Sequence, residues 1–137
     1  MYSGSCACGA VTYELHAPLR PSVACHCVQC RKISGHYWSA TAAPRAALRL
    51  LSARALKWYR SSPHVRRGFC GNCGSTLFWD NEERDSISIG SGTLDDARGL
   101  TTSHHIFVAE KAAYYDIPRG VPRYPGSGPE DVKGGTP

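Results

Sequence analysis

The sequence predicts one mostly β domain, and three observations support this prediction. Short runs of alternating apolar and polar residues recur along the chain, each bounded by Gly, Pro, Ser or Asn. These runs follow one another so closely that little length remains for helical crossovers between parallel strands. The chain has 137 residues and is 42% hydrophobic, which is ordinary for one domain that buries a core.

The predicted strands share this alternation. The first spans residues 9–15, where Val11, Tyr13 and Leu15 alternate with polar neighbours. Further strands are predicted at residues 36–42, 55–60, 65–69, 76–79, 86–91 and 104–108. Residues 44–51 are rich in alanine but also alternate, and we interpret them as a short turn that leads into a strand.

A change of composition marks the end of the predicted domain, which covers residues 1–125. Residues 126–137 contain Gly, Ser, Pro and charged residues, with Val132 as the one large apolar side chain. Such a segment buries too little apolar surface to offset the entropy lost when it is ordered. We therefore predict a flexible tail at residues 126–137.

Several function classes are disfavoured by composition. The chain has no run of roughly 20 apolar residues that could cross a bilayer, and its first cysteine, at position 6, leaves no room for the apolar part of a signal peptide. We therefore expect a cytoplasmic protein with no membrane partner. The net charge of +5 comes from 16 Lys and Arg against 11 Asp and Glu, scattered without a dense basic run. Nucleic acid is thus an unlikely partner.

The seven cysteines carry the strongest functional signal. In the cytosol structural disulfides are rare, and an odd count opposes a closed disulfide framework, so metal or redox chemistry must explain them. They form a CxC at Cys6 and Cys8, a CxCxxC at Cys25, Cys27 and Cys30, and a CxxC at Cys70 and Cys73. Two close-spaced pairs supply the four ligands of a structural zinc ion.

The CxCxxC cluster predicts a different kind of site. Three protein sulfurs and one open position are typical of a catalytic zinc ion, because the fourth position accepts water or a substrate ligand. A substrate thiol suits it, since thiolate sulfur is a good zinc ligand. A redox pair with one spare thiol, or a second structural site completed by His26 or a distant histidine, remain alternatives. Spacing alone fixes the count of four and three ligands but not their pairing.

Longer stretches of sequence resemble a known family. They are GSCACGAVTY at residues 4–13, CHCVQCRKISG at 25–35, YRSS at 59–62, RGFCGNCGSTL at 67–77, SGTLDD at 91–96 and HIFV at 105–108. Together they resemble the glutathione-dependent formaldehyde-activating enzyme family, which also includes centromere protein V. The resemblance implies several coiled, mostly antiparallel β-sheets built around a structural zinc ion, similar to the Mss-type fold of Rab exchange factors.

The resemblance also implies roles for the cysteines and an activity. Cys6, Cys8, Cys70 and Cys73 correspond to the ligands of a structural zinc ion, and Cys25, Cys27 and Cys30 to those of a second, reactive zinc ion near which glutathione binds. The implied activity is that of a carbon-sulfur lyase, which makes or breaks S-(hydroxymethyl)glutathione or a related thiol adduct. The implied partners are a small thiol such as glutathione and a small carbonyl such as formaldehyde.

Side chains near the second cluster are candidates for the remaining roles. Proton transfer at the carbonyl oxygen could involve His26, His36 or His105, and Arg31 or Lys32 could hold a substrate carboxylate. Two other hypotheses stay open: a non-catalytic zinc module that binds protein or nucleic acid, and a thiol redox switch. An exposed sheet edge would allow a weak homodimer, so we expect a monomer or a weak homodimer.

Overall fold

The structure is a computed structural model and describes residues 1–128. Within these residues the chain forms ten strands and one α-helix. They are β1 Tyr2–Ser5, β2 Thr12–Leu15, β3 Ser22–Cys25, α1 Val28–Ser34, β4 Trp38–Pro44, β5 Leu48–Ser52, β6 Leu56–Arg60, β7 Val65–Cys70, β8 Thr76–Asn81, β9 Ser86–Gly90 and β10 Thr102–Ile106. Short 3₁₀ turns lie at Arg45–Ala47, Ser91–Thr93 and Val108–Glu110. The prediction of a mostly β protein is confirmed.

The strands form two open sheets. One has three strands in the order β1-β2-β5, and the other has seven in the order β10-β3-β4-β9-β8-β7-β6. Every pair is antiparallel except that of β10 with β3, which is parallel. The parallel pair requires a long connection, and here the chain makes six other strands between β3 and β10.

Two hydrophobic clusters cover opposite faces of the seven-stranded sheet. The first holds Tyr13 and Leu15 from the small sheet together with Phe78 from β8. The second holds Trp79, the next residue of β8, with Trp38 and the three cysteines of the CxCxxC motif. Because consecutive strand residues point to opposite faces, Phe78 and Trp79 belong to different clusters. Cys6 and Cys70 belong to the first cluster, and Cys25, Cys27 and Cys30 belong to the second.

Most predicted strands are present, with ends shifted by a few residues. The interpretation of residues 44–51 is also confirmed, because the 3₁₀ turn Arg45–Ala47 leads directly into β5. Three elements were not predicted: β1, β3 and α1. All four residues of β3 are buried, since β10 and β4 flank it, so its sequence has no polar alternation.

The helix α1 was not predicted for a different reason. It has seven residues, too few to show helical periodicity in the sequence. Its N-cap is Cys27, whose sulfur accepts a hydrogen bond from the Cys30 backbone N–H at 3.3 Å. Gly35, with φ of 84°, ends it in the left-handed region that a residue without a Cβ adopts most readily.

Two further findings concern the predicted tail and the possibility of a membrane-spanning helix. Residues 129–137, most of the predicted tail, lie outside the described residues, so the division into a domain at 1–125 and a flexible tail stays a prediction. Among residues 1–128, no helix combines the length and the apolar character required to span a bilayer.

A buried carboxylate in β8 gives a test of the sheet. The Asp80 side chain is fully buried and forms ion pairs with Arg45 Nη1 at 2.5 Å and Arg66 Nε at 2.9 Å. Replacing it in Asp80→Asn leaves two guanidinium groups without their anion. We expect the free energy of unfolding, measured with urea, to fall by about 3 kcal/mol.

The matched control is Glu82→Gln, two residues further along. Glu82 forms an exposed ion pair with Arg60 Nη1 at 2.6 Å, and exposed pairs contribute little to stability. The urea midpoint of this variant should stay close to that of the wild type. Equal destabilisation by the two substitutions would contradict the structural role assigned to Asp80.

Candidate metal centres

Four cysteines from two distant turns bring their sulfur atoms together. The Cys8 sulfur lies 3.7 Å from that of Cys6 and 3.8 Å from that of Cys70. All four sulfurs, including that of Cys73, lie within 4.8 Å of one another. A zinc ion with Zn–S distances of about 2.3 Å and tetrahedral angles separates its sulfur ligands by about 3.8 Å. The donor set therefore fits a tetrahedral metal ion.

The two turns that carry these cysteines have the same construction. Gly9 follows Cys8 and Gly74 follows Cys73, each with φ of 79°. The Gly9 N–H donates to the Cys6 carbonyl at 3.2 Å, and the Gly74 N–H donates to the Cys70 carbonyl at 2.8 Å. Only a residue without a Cβ takes this left-handed conformation at little cost. The glycines seen after each cysteine pair in the sequence thus close the turns that aim the sulfurs inward.

The CxCxxC motif forms a second cluster on the other face of the large sheet. Cys25 ends β3, Cys27 caps α1, and Cys30 lies in the first turn of that helix. Their sulfurs lie within 4.8 Å of one another, and all three residues are buried. Among residues 1–128, no fourth Cys, His, Asp or Glu ligand atom joins this group. The arrangement of four and three candidate ligands matches the count expected from the sequence.

The electrostatics of the three-cysteine cluster favour a bound cation. Hydrogen bonds from the thiols of Cys25 and Cys30 lower the pKa of Cys27 to about 2. The same contact with Cys27 raises the pKa of Cys25, because a second anion beside the first is unfavourable. Ionisation of one of these thiols therefore opposes ionisation of its neighbours. A divalent cation is the kind of group that would allow all three thiols to ionise.

A buried arginine contacts this cluster. Arg67 of β7 is 2% exposed, and its two terminal nitrogens lie 3.9 Å and 3.8 Å from the Cys30 sulfur. Its Nε donates to the side-chain oxygen of Gln29 at 3.2 Å. The Arg67 guanidinium therefore supplies positive charge directly beside a candidate ligand.

His26 lies between two of these cysteines but points away from their sulfurs. It is completely buried, with Nδ1 at 2.7 Å from the Tyr115 hydroxyl and Nε2 at 2.7 Å from Nδ1 of His105. The pKa of His26 is lowered to about 4, mainly by burial and then by the nearby His105. Burial also lowers the pKa of His105. Both rings are therefore neutral at pH 7. The structure thus brings His26 to His105, not to the metal ligands.

The other candidate side chains lie on or beside α1. His36 is exposed, and its ring contacts those of Tyr37 and Tyr115, at centroid distances of 4.5 Å and 4.3 Å. Arg31 is partly buried, and its Nε has no hydrogen-bond partner within residues 1–128. Lys32 is exposed. Their contacts with a substrate stay predictions.

A surface groove runs beside α1 toward the four-cysteine turn. One part, with a volume of about 370 Å³, is lined by Ile33, Tyr59, Arg67, Phe69 and Thr76, among others. The adjoining part shares Ile33 and Thr76 and extends to Trp38 and Thr93. The first part is within the size range of small-molecule sites, about 300 to 1,000 Å³. Arg67 lines this groove and also contacts Cys30, so one side chain lies between the groove and the three-cysteine cluster.

Sequence reasoning missed two residues of this site, Arg67 and Tyr115. Arg67 looked like one of several scattered surface cations, because only the pairing of β7 between β6 and β8 shows which face it occupies. Tyr115 is 89 residues from His26 in sequence, and no spacing rule predicts such a contact. The one available signal was the position of Arg67 inside the RGFCGNCGSTL motif.

Comparisons with known proteins found a matching family model and similar solved structures. A family model described as glutathione-dependent formaldehyde-activating enzyme matches residues 1–110. The crystal structure of a Rhodobacter sphaeroides protein is similar, with a TM-score of 0.57 and 25% sequence identity over 71% of this chain and 91% of that chain. None of the curated proteins matches the chain.

The two cysteine clusters should respond differently to substitution. In Cys70→Ser, we expect loss of the cluster that joins the turn at residues 6–9 to the turn at 70–74, and a large fall in the unfolding temperature. Metal binding at such a site contributes to folding free energy, because the site does not exist in the unfolded chain. In Cys27→Ser, we expect a folded protein that binds one metal ion fewer. Metal content and thermal unfolding measure both effects.

Both substitutions replace a buried cysteine by serine, so each is the control for the other. Equal loss of thermal stability in the two variants would contradict the division into a structural and a reactive site. Folded Cys70→Ser protein with both metal ions still bound would contradict it as well.

Proposed function

The chain belongs to the glutathione-dependent formaldehyde-activating enzyme family, and from this premise we propose that it is a zinc-dependent carbon-sulfur lyase. Its reaction makes or breaks S-(hydroxymethyl)glutathione or a related adduct of a small thiol and a small carbonyl. Cys6, Cys8, Cys70 and Cys73 hold a structural zinc ion, and Cys25, Cys27 and Cys30 hold the reactive one.

One observation carries this proposal. The three sulfurs of the CxCxxC motif converge within 4.8 Å, and no fourth protein ligand joins them among residues 1–128. A structural zinc site has four protein ligands, as the other cluster offers, whereas a catalytic site has three. A zinc ion held by these three thiolates would offer a position to the substrate sulfur and lower the pKa of its thiol.

The chemistry needs no oxidant or reductant. In the forward direction the substrate sulfur bonds to the carbonyl carbon, the carbonyl π electrons move to the oxygen, and that oxygen takes up the proton lost by the thiol. In the reverse direction the carbon-sulfur bond breaks and the carbonyl forms again. The protein must therefore bind the thiol, orient the carbonyl and accommodate one proton transfer.

The groove beside α1 supports binding of the rest of the thiol molecule. Its lining combines the apolar Ile33 and Phe69 with the polar Arg67 and Thr76, which suits a peptide-like thiol. Arg31 and Lys32, on the same helix as Ile33, are the proposed contacts of substrate carboxylates.

The other features of the proposal come from the sequence and the family. They are a cytoplasmic location, a monomer or weak homodimer, and similarity to the Mss-type zinc fold. The two open sheets and the four-cysteine cluster at one end of β7 are compatible with that fold.

The proposed activity predicts faster exchange between free and thiol-bound formaldehyde. Formaldehyde and glutathione combine spontaneously, so the measurement must be a rate: nuclear magnetisation exchange between ¹³C-formaldehyde hydrate and its glutathione adduct. We expect zinc-loaded wild-type protein to accelerate this exchange in proportion to its concentration, and Cys27→Ser to lose at least about 90% of the acceleration, as expected when a metal ligand is lost.

Glu82→Gln is the matched folded control, because Glu82 belongs to neither cysteine cluster. This variant should keep full activity. Replacing glutathione by 2-mercaptoethanol tests whether the groove recognises more than the thiol, and a slower exchange would indicate that it does. Fully zinc-loaded protein that leaves the spontaneous rate unchanged with every thiol tried would refute the lyase. If two of the three cysteines Cys25, Cys27 and Cys30 then formed a reversible disulfide, the redox switch would take its place.

A further inference from the structure

Arg67 is a buried cation without a carboxylate partner. Its side chain is almost completely enclosed, and within residues 1–128 no Asp or Glu forms an ion pair with it. The Arg67 nitrogens make polar contacts with the Gln29 side-chain oxygen and the Cys30 sulfur. A buried guanidinium is strongly unfavourable unless an anion lies beside it. The anion that this arginine contacts is therefore the cysteine cluster.

The net charge of a metal-loaded cluster agrees with its role as the anion beside Arg67. Three thiolates bound to one divalent ion carry a single net negative charge. One guanidinium balances that charge within the buried site.

The geometry also fixes how Arg67 is oriented. β7 is held between β6 and β8, with Arg67 opposite Tyr59 on one side and Trp79 on the other. Gln29 of α1 accepts the Nε hydrogen bond, which turns both terminal nitrogens toward Cys30. Gln29 lies between Cys27 and Cys30 in the same helix, so the contact joins the ligand-bearing helix to the sheet.

From these contacts we propose that Arg67 is a positioning residue of the three-cysteine site: its guanidinium balances the charge of the metal-thiolate group and holds the Cys30 sulfur in the ligand geometry. The proposal rests on that part of the proposed function which assigns a divalent metal to these thiolates. It does not depend on which thiol or carbonyl reacts. Hydrogen bonds to a ligand thiolate also reduce its electron donation, so Arg67 tunes the acidity of the bound metal.

The first test is zinc affinity in the variant Arg67→Met. Methionine retains an unbranched apolar side chain but offers neither charge nor N–H donors. Competition with a chromophoric chelator should show zinc binding at the three-cysteine site weakened about 10-fold to 100-fold, as for the loss of other partners of metal ligands. Affinity at the four-cysteine site should not change. The control Arg98→Met removes an exposed arginine whose partner is Asp96, and should leave both affinities unchanged.

The second test is spectroscopic and separates a direct effect from a change in stability. In protein loaded with ¹¹³Cd, each cluster should give its own NMR signal, and the signal lost in Cys27→Ser identifies the three-cysteine site. In Arg67→Met that signal should move, because the electron density on the Cys30 sulfur changes. The signal of the four-cysteine site should stay in place and so serves as an internal reference.

A second variant keeps the test decisive if Arg67→Met does not fold. Gln29 is exposed, and Gln29→Leu removes the acceptor that orients the guanidinium without removing the charge. We expect a several-fold loss of zinc affinity at the three-cysteine site alone.

Unchanged affinity and an unmoved cadmium signal in folded Arg67→Met would overturn the proposal, as would an equal loss at both clusters. These failures differ from a failure of the lyase hypothesis. That hypothesis is tested by exchange kinetics of the wild-type protein, whereas the role of Arg67 is measured on metal binding with no substrate present.

Discussion

The convergence of four sulfur atoms is the interaction on which the rest of the structure depends. Cys6 and Cys8 come from the first turn of the chain, and Cys70 and Cys73 from the turn between β7 and β8. The contact between these two turns places the three-stranded sheet, β1-β2-β5, against one face of the large sheet. The shared core of Tyr13 and Phe78 fills the space between the two, with ring centroids 5.5 Å apart. The four cysteines and the apolar side chains therefore lie at the same contact between sheets.

Strand β7 connects this four-cysteine cluster to the three-cysteine cluster. Cys70 ends the strand and belongs to the first cluster, and Arg67, three residues earlier, contacts Cys30 of the second. Because side chains alternate along a strand, residues separated by three positions point to opposite faces. One strand thus presents a sulfur ligand on one face of the sheet and a buried cation on the other. An error in its register would displace both sites together.

The helix α1, which contains Cys30 and is capped by Cys27, is held at both ends by residues near position 110. The Glu110 carboxylate accepts the backbone N–H of Val28 at 3.1 Å at the start of α1, and the Tyr114 hydroxyl donates to the Gly35 carbonyl at 2.8 Å at its end. A helix of seven residues has little stability of its own. Its position is therefore determined by these contacts, by the buried His26 and His105 pair, and by Arg67. Such support keeps ligand sulfurs fixed while the groove beside the helix stays accessible.

The sequence by itself determined the mostly β character, the position of most strands and the count of four and three candidate ligands among the seven cysteines. It could do so because alternation, turn residues and ligand spacing are local features, readable over fewer than about ten residues. The tertiary structure alone decided that β3 pairs in parallel with β10, that His26 binds His105 and Tyr115, and that Arg67 faces Cys30 while Arg66 faces Asp80. These contacts join residues far apart in the chain, and their partners depend on which strands lie side by side and in which register.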